Sequence, residues 1–276
     1  MQFRTIVDIP KPGFQIEPLE PMLFVGSCFA DSIGRRFEEE RFPVTVNPFG
    51  VMYNPVSILH TIERLFSPLT PHPSPLTPKT VFLTLGTNHV YRLKETGQIV
   101  DNCEKRPQRL FQEEQLTIGQ CTDSLARAVD ILTERNADVQ VVVTVSPIRY
   151  AKYGFHGSQL SKATLLLAAD ALAALRPCVT YFPAYEIVTD ELRDYRFYQP
   201  DMLHPSQQAV EYIWQQLVEA YFSERAKQFL HEWQPVKQAL GHRPFHPESE
   251  EYRLFLAQTR QKEADLLARY SALMNY

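Results

Sequence analysis

Short apolar runs alternate with helical patterns along the first 222 residues, and this alternation constrains the fold most strongly. The runs are rich in Val, Phe and Tyr and lie at Met22–Val25, Val44–Val46, Val81–Leu85, Val139–Val145 and Val179–Phe182. Helical periodicity occupies Asp31–Phe42, Pro55–Phe66, Thr122–Glu134, Ser158–Leu175 and Ser206–Phe222. Strands that alternate with helices pair in parallel, and right-handed crossovers place the helices on both faces. We therefore predict a three-layer α/β/α fold with a five-stranded, mostly parallel, flavodoxin-like sheet.

Two segments do not follow the alternation. The prolines of residues 67–78 exclude a helix and a central strand, so this segment is predicted to be a surface loop or a short extended arm. After Pro247 the apolar spacing predicts a long helix. We divide the chain into an α/β domain at residues 1–222 and a C-terminal helical extension at residues 223–276. That helix is suited to capping the domain, covering a site or pairing two copies as a homodimer, and the sequence leaves these alternatives open.

Charge and cysteine content exclude several classes of protein. The 276 residues carry a formal net charge of -4 without blocks of one sign, which argues against a nucleic-acid groove or a basic membrane patch. The N-terminus lacks a secretory signal pattern and no apolar run approaches the about 20 residues of a membrane helix, so we expect a cytoplasmic protein. Four cysteines, Cys28, Cys103, Cys121 and Cys178, stand singly, so we expect free thiols and neither a metal nor a cofactor.

Two distant motifs have the residue types of a nucleophile and its base. Ser27, in Gly-Ser-Cys-Phe-Ala, follows the first predicted strand, and Asp201 precedes His204 by three residues just before a predicted helix. In a parallel sheet both positions fall at the carboxyl edge of the strands. Asp201 can accept the Nδ1 proton of His204 and leave Nε2 to act as a base for Ser27. The alternatives are a serine that caps a helix and an aspartate that caps a turn.

Two further motifs follow the second and third predicted strands. They are Asn47-Pro-Phe-Gly50 and Gly86-Thr-Asn88-His89. Backbone N–H groups of Ser27 and Gly50, together with the Asn88 amide, would form an oxyanion hole of three donors. Ordinary turn roles are the alternative for Gly50 and Asn88.

On these residues the chain resembles the GSCFA family, a branch of the SGNH or GDSL-like hydrolases, over residues 20–222. The naming pentapeptide occurs unaltered at residues 26–30. The resemblance implies an SGNH-type serine esterase that hydrolyses or transfers short acyl groups through an acyl-enzyme. It assigns the nucleophile to Ser27, the oxyanion hole to Ser27, Gly50 and Asn88, and the remaining catalytic roles to Asp201 and His204.

The substrate is expected to be a small-molecule or carbohydrate acyl ester, with O-acetyl groups on sugars favoured by family analogy. Residues considered for substrate binding are Asn47, His89, Arg149, His156 and Lys162. Arg149 belongs to a Ser-Pro-x-Arg element that also resembles the family. Plain surface charges are the alternative for Arg149, His156 and Lys162, and this alternative is favoured for Lys162. The sequence departs from the wider SGNH pattern at Cys-Phe-Ala after Ser27 and at His89, where the pattern has an aspartate.

Three rival interpretations remain. Cys28 could be the nucleophile, because a thiol at a helix N-terminus can have a lowered pKa, although its side chain should point away from that of Ser27. The fold could instead serve as a non-catalytic binding or assembly module. A nucleotide-binding flavodoxin-like protein is disfavoured, because the first strand–helix turn has neither G-x-G-x-x-G nor a P-loop.

Overall fold

The computed structural model describes residues 4–67 and 77–272. Apart from its two ends, the proline-rich segment predicted to be a loop or arm lies outside the described residues. None of the helices within these two ranges is long and apolar enough to cross a membrane.

A parallel five-stranded sheet forms the middle layer. Its order is β2-β1-β3-β7-β8, which is the flavodoxin-like order with its switch point between β1 and β3. The predicted fold class is therefore confirmed, and the sheet is parallel throughout. The strands, numbered along the chain with those of a second sheet, are β1 Met22–Gly26, β2 Val44–Val46, β3 Thr80–Leu85, β4 His89–Leu93, β5 Ile99–Val100, β6 Phe111–Gln115, β7 Gln140–Val145 and β8 Val179–Tyr181.

Helices cover both faces of this sheet. Because strand side chains alternate between faces, Phe24 and Phe82 pack with α1 and α6, whereas Leu23 and Val81 pack with α2, α3 and α4. Phe37 of α1 meets the ring of Trp214 on α6 edge-on at 4.8 Å. The helices are α1 Cys28–Glu39, α2 Pro55–Leu65, α3 Ile118–Arg135, α4 Gly154–Leu175, α5 Ala184–Glu186, α6 Gln207–Tyr221, α7 Glu224–Leu240 and α8 Glu250–Ala272.

The second sheet is antiparallel, has the order β5-β4-β6 and was not predicted. Strand β6 carries Gln112, Glu113 and Glu114 in succession, so it lacks the apolar alternation by which strands are recognised. Strand β4 starts at His89, shortly after β3 ends. The small sheet therefore extends from the carboxyl edge of the central sheet.

The C-terminal part contains two helices, α7 and α8, of which only the second was predicted. The indole Nε1 of Trp233 on α7 donates to the carbonyl of Glu39 at 2.9 Å, and Tyr270 of α8 packs edge-on against Phe229 of α7. Glu39 ends α1, so these contacts cap the domain at the end of α1 opposite Ser27. The boundary at residues 222 and 223 and a homodimer through the last helix stay predictions.

Gly26→Ala is expected to lower the free energy of unfolding by at least about 2 kcal/mol. The φ angle of Gly26 is +143°, and a Cβ there would lie 2.2 Å from the carbonyl oxygen of Thr84. Urea denaturation followed by circular dichroism measures the change. The matched control is Gly119→Ala in α3, where a Cβ meets nothing within 4 Å. The control should raise stability by about 0.5–1 kcal/mol, and equal stability of the two variants would contradict the close approach at Gly26.

Candidate active site

The turn that joins β1 to α1 is fixed against the neighbouring strand β3. Ser27 caps α1, since its Oγ accepts from the backbone N–H of Phe29 at 3.2 Å. The backbone N–H of Ser27 donates to the carbonyl and the hydroxyl of Thr84 at 3.0 and 2.9 Å. The two hydroxyls lie 3.0 Å apart, and Ser27 is only 1% exposed. In this conformation the Ser27 hydroxyl faces the protein interior.

Cys28, the first residue of α1, is half-buried, and its side chain does not share the Thr84 contact of Ser27. Its Sγ lies 3.5 Å from the hydroxyl of Tyr53. Burial, then the bond with the thiol, raises the pKa of Tyr53 to about 12, so this phenol stays protonated at neutral pH. The adjacent side chains of Ser27 and Cys28 thus have different partners, with the thiol on the more open side.

Asp201 and His204 form the predicted carboxylate–imidazole pair. His204 Nδ1 lies 2.6 Å from Asp201 Oδ2, and the other carboxylate oxygen accepts the backbone N–H groups of Leu203 and His204 at 2.8 and 3.0 Å. These backbone bonds, His204 first, lower the pKa of Asp201 to about 2, so the carboxylate is ionised at neutral pH. With its Nδ1 proton held by Asp201, His204 presents Nε2 as an acceptor.

Arg149 anchors the loop that carries this pair. Its backbone N–H donates to the carbonyl of Leu203 at 3.0 Å and its Nη1 donates to that of Met202 at 3.0 Å. Arg149 follows β7, two strands away from β1, so the loop lies at the same edge as Ser27 and about 10 Å along the sheet. Within residues 4–67 and 77–272, no hydrogen bond joins Ser27 to His204. Arg149, predicted to bind substrate, holds the loop of Asp201 and His204 in this conformation.

The predicted oxyanion donors have other acceptors in this structure. The N–H of Ser27 is bonded to Thr84, that of Gly50 donates to the carbonyl of Asn47 at 2.8 Å, and the amide of Asn88 donates to the carbonyl of Leu116 at 2.8 Å. Among the residues that the structure describes, the Asn88 Oδ1 is buried and has no hydrogen-bond partner. In this conformation each of the three predicted donor groups makes a hydrogen bond within the protein, and the oxyanion hole that they would form stays a prediction.

Asn47, which is predicted to bind substrate, makes hydrogen bonds within the protein in this structure. Its Oδ1 accepts from the N–H of Gly26 at 2.9 Å, and its Nδ2 donates to Asp31 at 2.7 Å. Both ends of the amide are bonded within the protein, so Asn47 positions the β1–α1 turn. His156 is exposed and has no side-chain hydrogen bond in the described part of the chain.

The preference for Lys162 as a surface charge was wrong, since Lys162 is 2% exposed. Its Nζ donates to the carbonyls of Gly86 and Ser146 at 2.7 and 2.8 Å, which end β3 and β7. Burial lowers its pKa to about 7. The burial of Lys162 could have been predicted from the sequence, because helical spacing places it on the same face as Leu165 and Leu172, which are buried.

A cavity of about 490 Å³ lies beside the β1–α1 turn, since its wall residue Tyr53 contacts Cys28. His89, one of the predicted substrate-binding residues, is in its wall, and the other wall residues were not predicted. Four tyrosines contribute to the lining, together with polar side chains from β4, the loop after β5 and the segment before α4. The lining residues are Val51, Tyr53, Asn54, Thr87, His89, Tyr91, Val100, Asp101, Asn102, Cys103, Tyr150, Lys152 and Tyr153.

The fold and the site together define the class of protein. It is a flavodoxin-like α/β/α domain that carries a Gly-Ser-Cys turn and an Asp–His pair at the carboxyl edge of its central sheet. Residues 21–79 and 76–217 match the model of the GSCFA family, and residues 233–275 match that of the GSCFA domain protein, C-terminal domain. The chain belongs to the GSCFA family.

Several solved structures are similar to this chain, whereas no curated protein matches it. A catalytic mutant of an acetylxylan esterase from Geobacillus stearothermophilus is 12% identical, with 76% of this chain and 98% of that chain covered and a TM-score of 0.48. A GDSL-like lipase from Bacteroides thetaiotaomicron is 12% identical, with 72% and 86% covered and a TM-score of 0.45. A family 3 carbohydrate esterase from Clostridium thermocellum is 13% identical, with 81% and 99% covered and a TM-score of 0.42.

Lys162→Met is expected to change how stability depends on pH. In the folded protein the pKa of Lys162 is about 7, below the ordinary lysine value of 10.5, so between these values only the unfolded chain binds the proton. The wild type should therefore gain stability as pH rises from about 7 towards 10, and Lys162→Met should lack this gain. Urea unfolding from pH 6 to pH 10 measures it. Lys262→Met, at an exposed lysine of α8, is the control and should keep the wild-type slope. A wild-type slope in Lys162→Met would contradict the buried amine.

Proposed function

We propose that this protein hydrolyses or transfers short acyl groups carried as esters, through an acyl-enzyme on Ser27. O-acetyl groups on carbohydrates are the favoured substrates. The observation that carries the proposal is the 2.6 Å contact between His204 and an ionised Asp201, at the sheet edge where Ser27 begins α1. A serine, a base and a group that orients the base are the set that acyl transfer requires.

In the proposed reaction, His204 Nε2 takes the proton of the Ser27 hydroxyl while Oγ bonds to the ester carbonyl carbon. The tetrahedral oxyanion forms next to the N-terminus of α1, whose dipole favours negative charge. The ester C–O bond then breaks, and the imidazolium gives its proton to the leaving alcohol. Water or an acceptor hydroxyl attacks the acyl-enzyme by the same route and frees Ser27.

This reaction requires Ser27 to leave the contact with Thr84. Rotation about χ1 moves a serine hydroxyl between staggered positions without moving the backbone. The loop at Asp201 and His204 must also come within hydrogen-bonding reach of the rotated hydroxyl. Because apo geometries of catalytic hydrogen bonds are often long, the missing contact is compatible with the proposal.

Asp201→Asn is expected to lower kcat for p-nitrophenyl acetate by about 10²–10⁴ while the protein stays folded. The amide keeps the shape of the side chain but loses the charge that stabilises the imidazolium. Asp194→Asn is the matched control, because Asp194 is an exposed aspartate that accepts the N–H of Arg196 in a nearby turn. Equal activity of the two variants would remove Asp201 from the mechanism.

One observation favours a second nucleophile. The thiol of Cys28 is more exposed than the hydroxyl of Ser27, and it faces Tyr53, whose side chain belongs to the cavity wall. If Cys28 attacks, the intermediate is a thioester at the first residue of α1, and the roles of His204 and Asp201 are unchanged.

Single substitutions separate the two nucleophiles. If Ser27 attacks, Ser27→Ala should lower kcat/KM for p-nitrophenyl acetate by at least about 10³, and Cys28→Ala should retain most of the activity. Peptide mapping after reaction with a fluorophosphonate should find the label on Ser27. The reverse pattern, with iodoacetamide inactivation at Cys28, would transfer the role to the thiol. Full activity in both variants would exclude both nucleophiles, whereas no activity and no label in the wild type would favour the non-catalytic binding module.

A further inference from the structure

The cavity has a site-like composition that the proposed acyl transfer does not use. Its aromatic walls come from Tyr53, Tyr91, Tyr150 and Tyr153, and its volume of about 490 Å³ falls in the range of small-molecule sites. We define these walls, together with His89, as the tyrosine cavity. Its position and its polar atoms both bear on what it binds.

The tyrosine cavity adjoins the β1–α1 turn. The carbonyl of Tyr53 accepts the N–H groups of Gly86 and Thr87 at 2.9 and 2.8 Å, so the cavity wall is attached to the end of β3. A Cβ placed on Gly86 would lie 3.4 Å from both the Cβ of Ser27 and the hydroxyl of Tyr150. The missing side chain at Gly86 therefore leaves Ser27 and Tyr150 near each other. An ester held at the turn would reach the cavity with one of its two parts.

Two polar atoms of residues in the wall are buried and have no hydrogen-bond partner among the described residues. One is the hydroxyl of Tyr150, and the other is Nδ1 of His89, a residue that is 8% exposed. His89 Nδ1 lies 3.3 Å from a carboxylate oxygen of Glu113, close enough for electrostatic attraction but not in hydrogen-bond geometry. Buried polar groups are nearly always bonded, so these two unpaired atoms mark a wall in which a small side-chain movement would let a polar ligand supply the missing partners.

The remaining wall chemistry limits the kind of ligand. The rings of His89 and Tyr153 are stacked at 3.6 Å and 10°, which forms a flat aromatic surface. Lys152 pairs with Glu113 at 3.1 Å, so its charge is compensated. Burial lowers the pKa of His89, which keeps the imidazole neutral and able both to donate and to accept. The walls thus combine aromatic surface with polar side chains, and the charge of Lys152 is compensated.

A sugar ring matches this combination, because its C–H face can lie on an aromatic ring while its hydroxyls exchange hydrogen bonds around the rim. We propose that the tyrosine cavity binds the alcohol part of the ester and that this part is a neutral sugar. The inference rests on the proposed function only in taking the sugar to be the alcohol part of an ester. Sugar binding itself can be measured without turnover.

The first test compares two acetyl esters with different alcohols. Tyr153→Ala and Tyr150→Phe should each lower kcat/KM for glucose pentaacetate about tenfold or more and leave that for ethyl acetate within about twofold, since ethanol cannot fill the cavity. Tyr150→Phe removes only an unpaired hydroxyl, so it tests the cavity even if Tyr153→Ala folds poorly. Tyr252→Ala on α8, far from the cavity, is the control and should match the wild type with both esters.

Two kinetic outcomes would overturn the proposal. One is an equal effect of the cavity variants on both acetyl esters. The other is a selective loss with ethyl esters of longer acyl chains, which would assign the cavity to the acyl part. Circular dichroism of each variant separates these outcomes from unfolding.

The second test does not depend on catalysis. Saturation-transfer NMR on the Ser27→Ala protein should detect binding of methyl β-glucoside, methyl β-xyloside or methyl N-acetyl-β-glucosaminide, and Tyr153→Ala in the same background should abolish the signal. Absence of binding by all three sugars would refute the sugar site. Binding by an esterase-inactive wild type would keep the sugar site and reject the proposed function, so the two failures are distinguishable.

Discussion

The close approach of Gly26 to Thr84 is the constraint on which the carboxyl edge of the central sheet depends. Three chain segments converge on this glycine: its N–H donates to Asn47 after β2, its carbonyl accepts the N–H of Met52, and its Cα lies against the end of β3. A side chain at residue 26 would occupy the space of the Thr84 carbonyl. Since Ser27 continues directly from this point, the direction in which α1 leaves the sheet is set by the core and not by a flexible loop. This explains why a helix N-terminus, a serine and a cysteine can be held at one defined position.

Lys162 also supports the carboxyl edge of the central sheet, from its position on α4. A neutral lysine has two N–H bonds, and two carbonyls, those of Gly86 and Ser146, accept them. Because burial lowers its pKa to about 7, the amine is neutral above that pH and needs no counter-ion there. Its contacts join the ends of β3 and β7 through α4. These two neighbouring strands carry the segments that lead to the tyrosine cavity and to Arg149, so one buried side chain joins the two segments just beyond the paired strands.

The sequence predicts the central sheet well because each of its strands is an apolar run between helices. Prediction from the sequence fails for elements whose local residue pattern is not typical of the structure that they adopt in the fold. The sequence of β6 is typical of a charged loop. Helix α7 contains Pro235, and a proline inside a segment argues against a helix when only the sequence is known. The pair Asp201 and His204 was predictable, because both groups lie three residues apart on one loop. The acceptors that the predicted oxyanion donors have in this structure were not predictable, because the acceptor of a backbone N–H depends on which strand lies beside it, and the sequence around Ser27 does not indicate Thr84.

The N–H groups after β3 attach the wall of the tyrosine cavity to the central sheet. Those of Gly86 and Thr87 hold the carbonyl of Tyr53, and that of Asn88 donates to Ser161. The segment that contains Asn88, whose side-chain amide is a predicted oxyanion donor, thereby fixes the wall of the tyrosine cavity and starts the small antiparallel sheet at His89. In the proposed reaction, the N-terminus of α1, which the core positions, would favour the developing negative charge. The small sheet is less buried than the central sheet, so substitutions at His89 and its neighbours can alter the cavity without disturbing the β1–α1 turn.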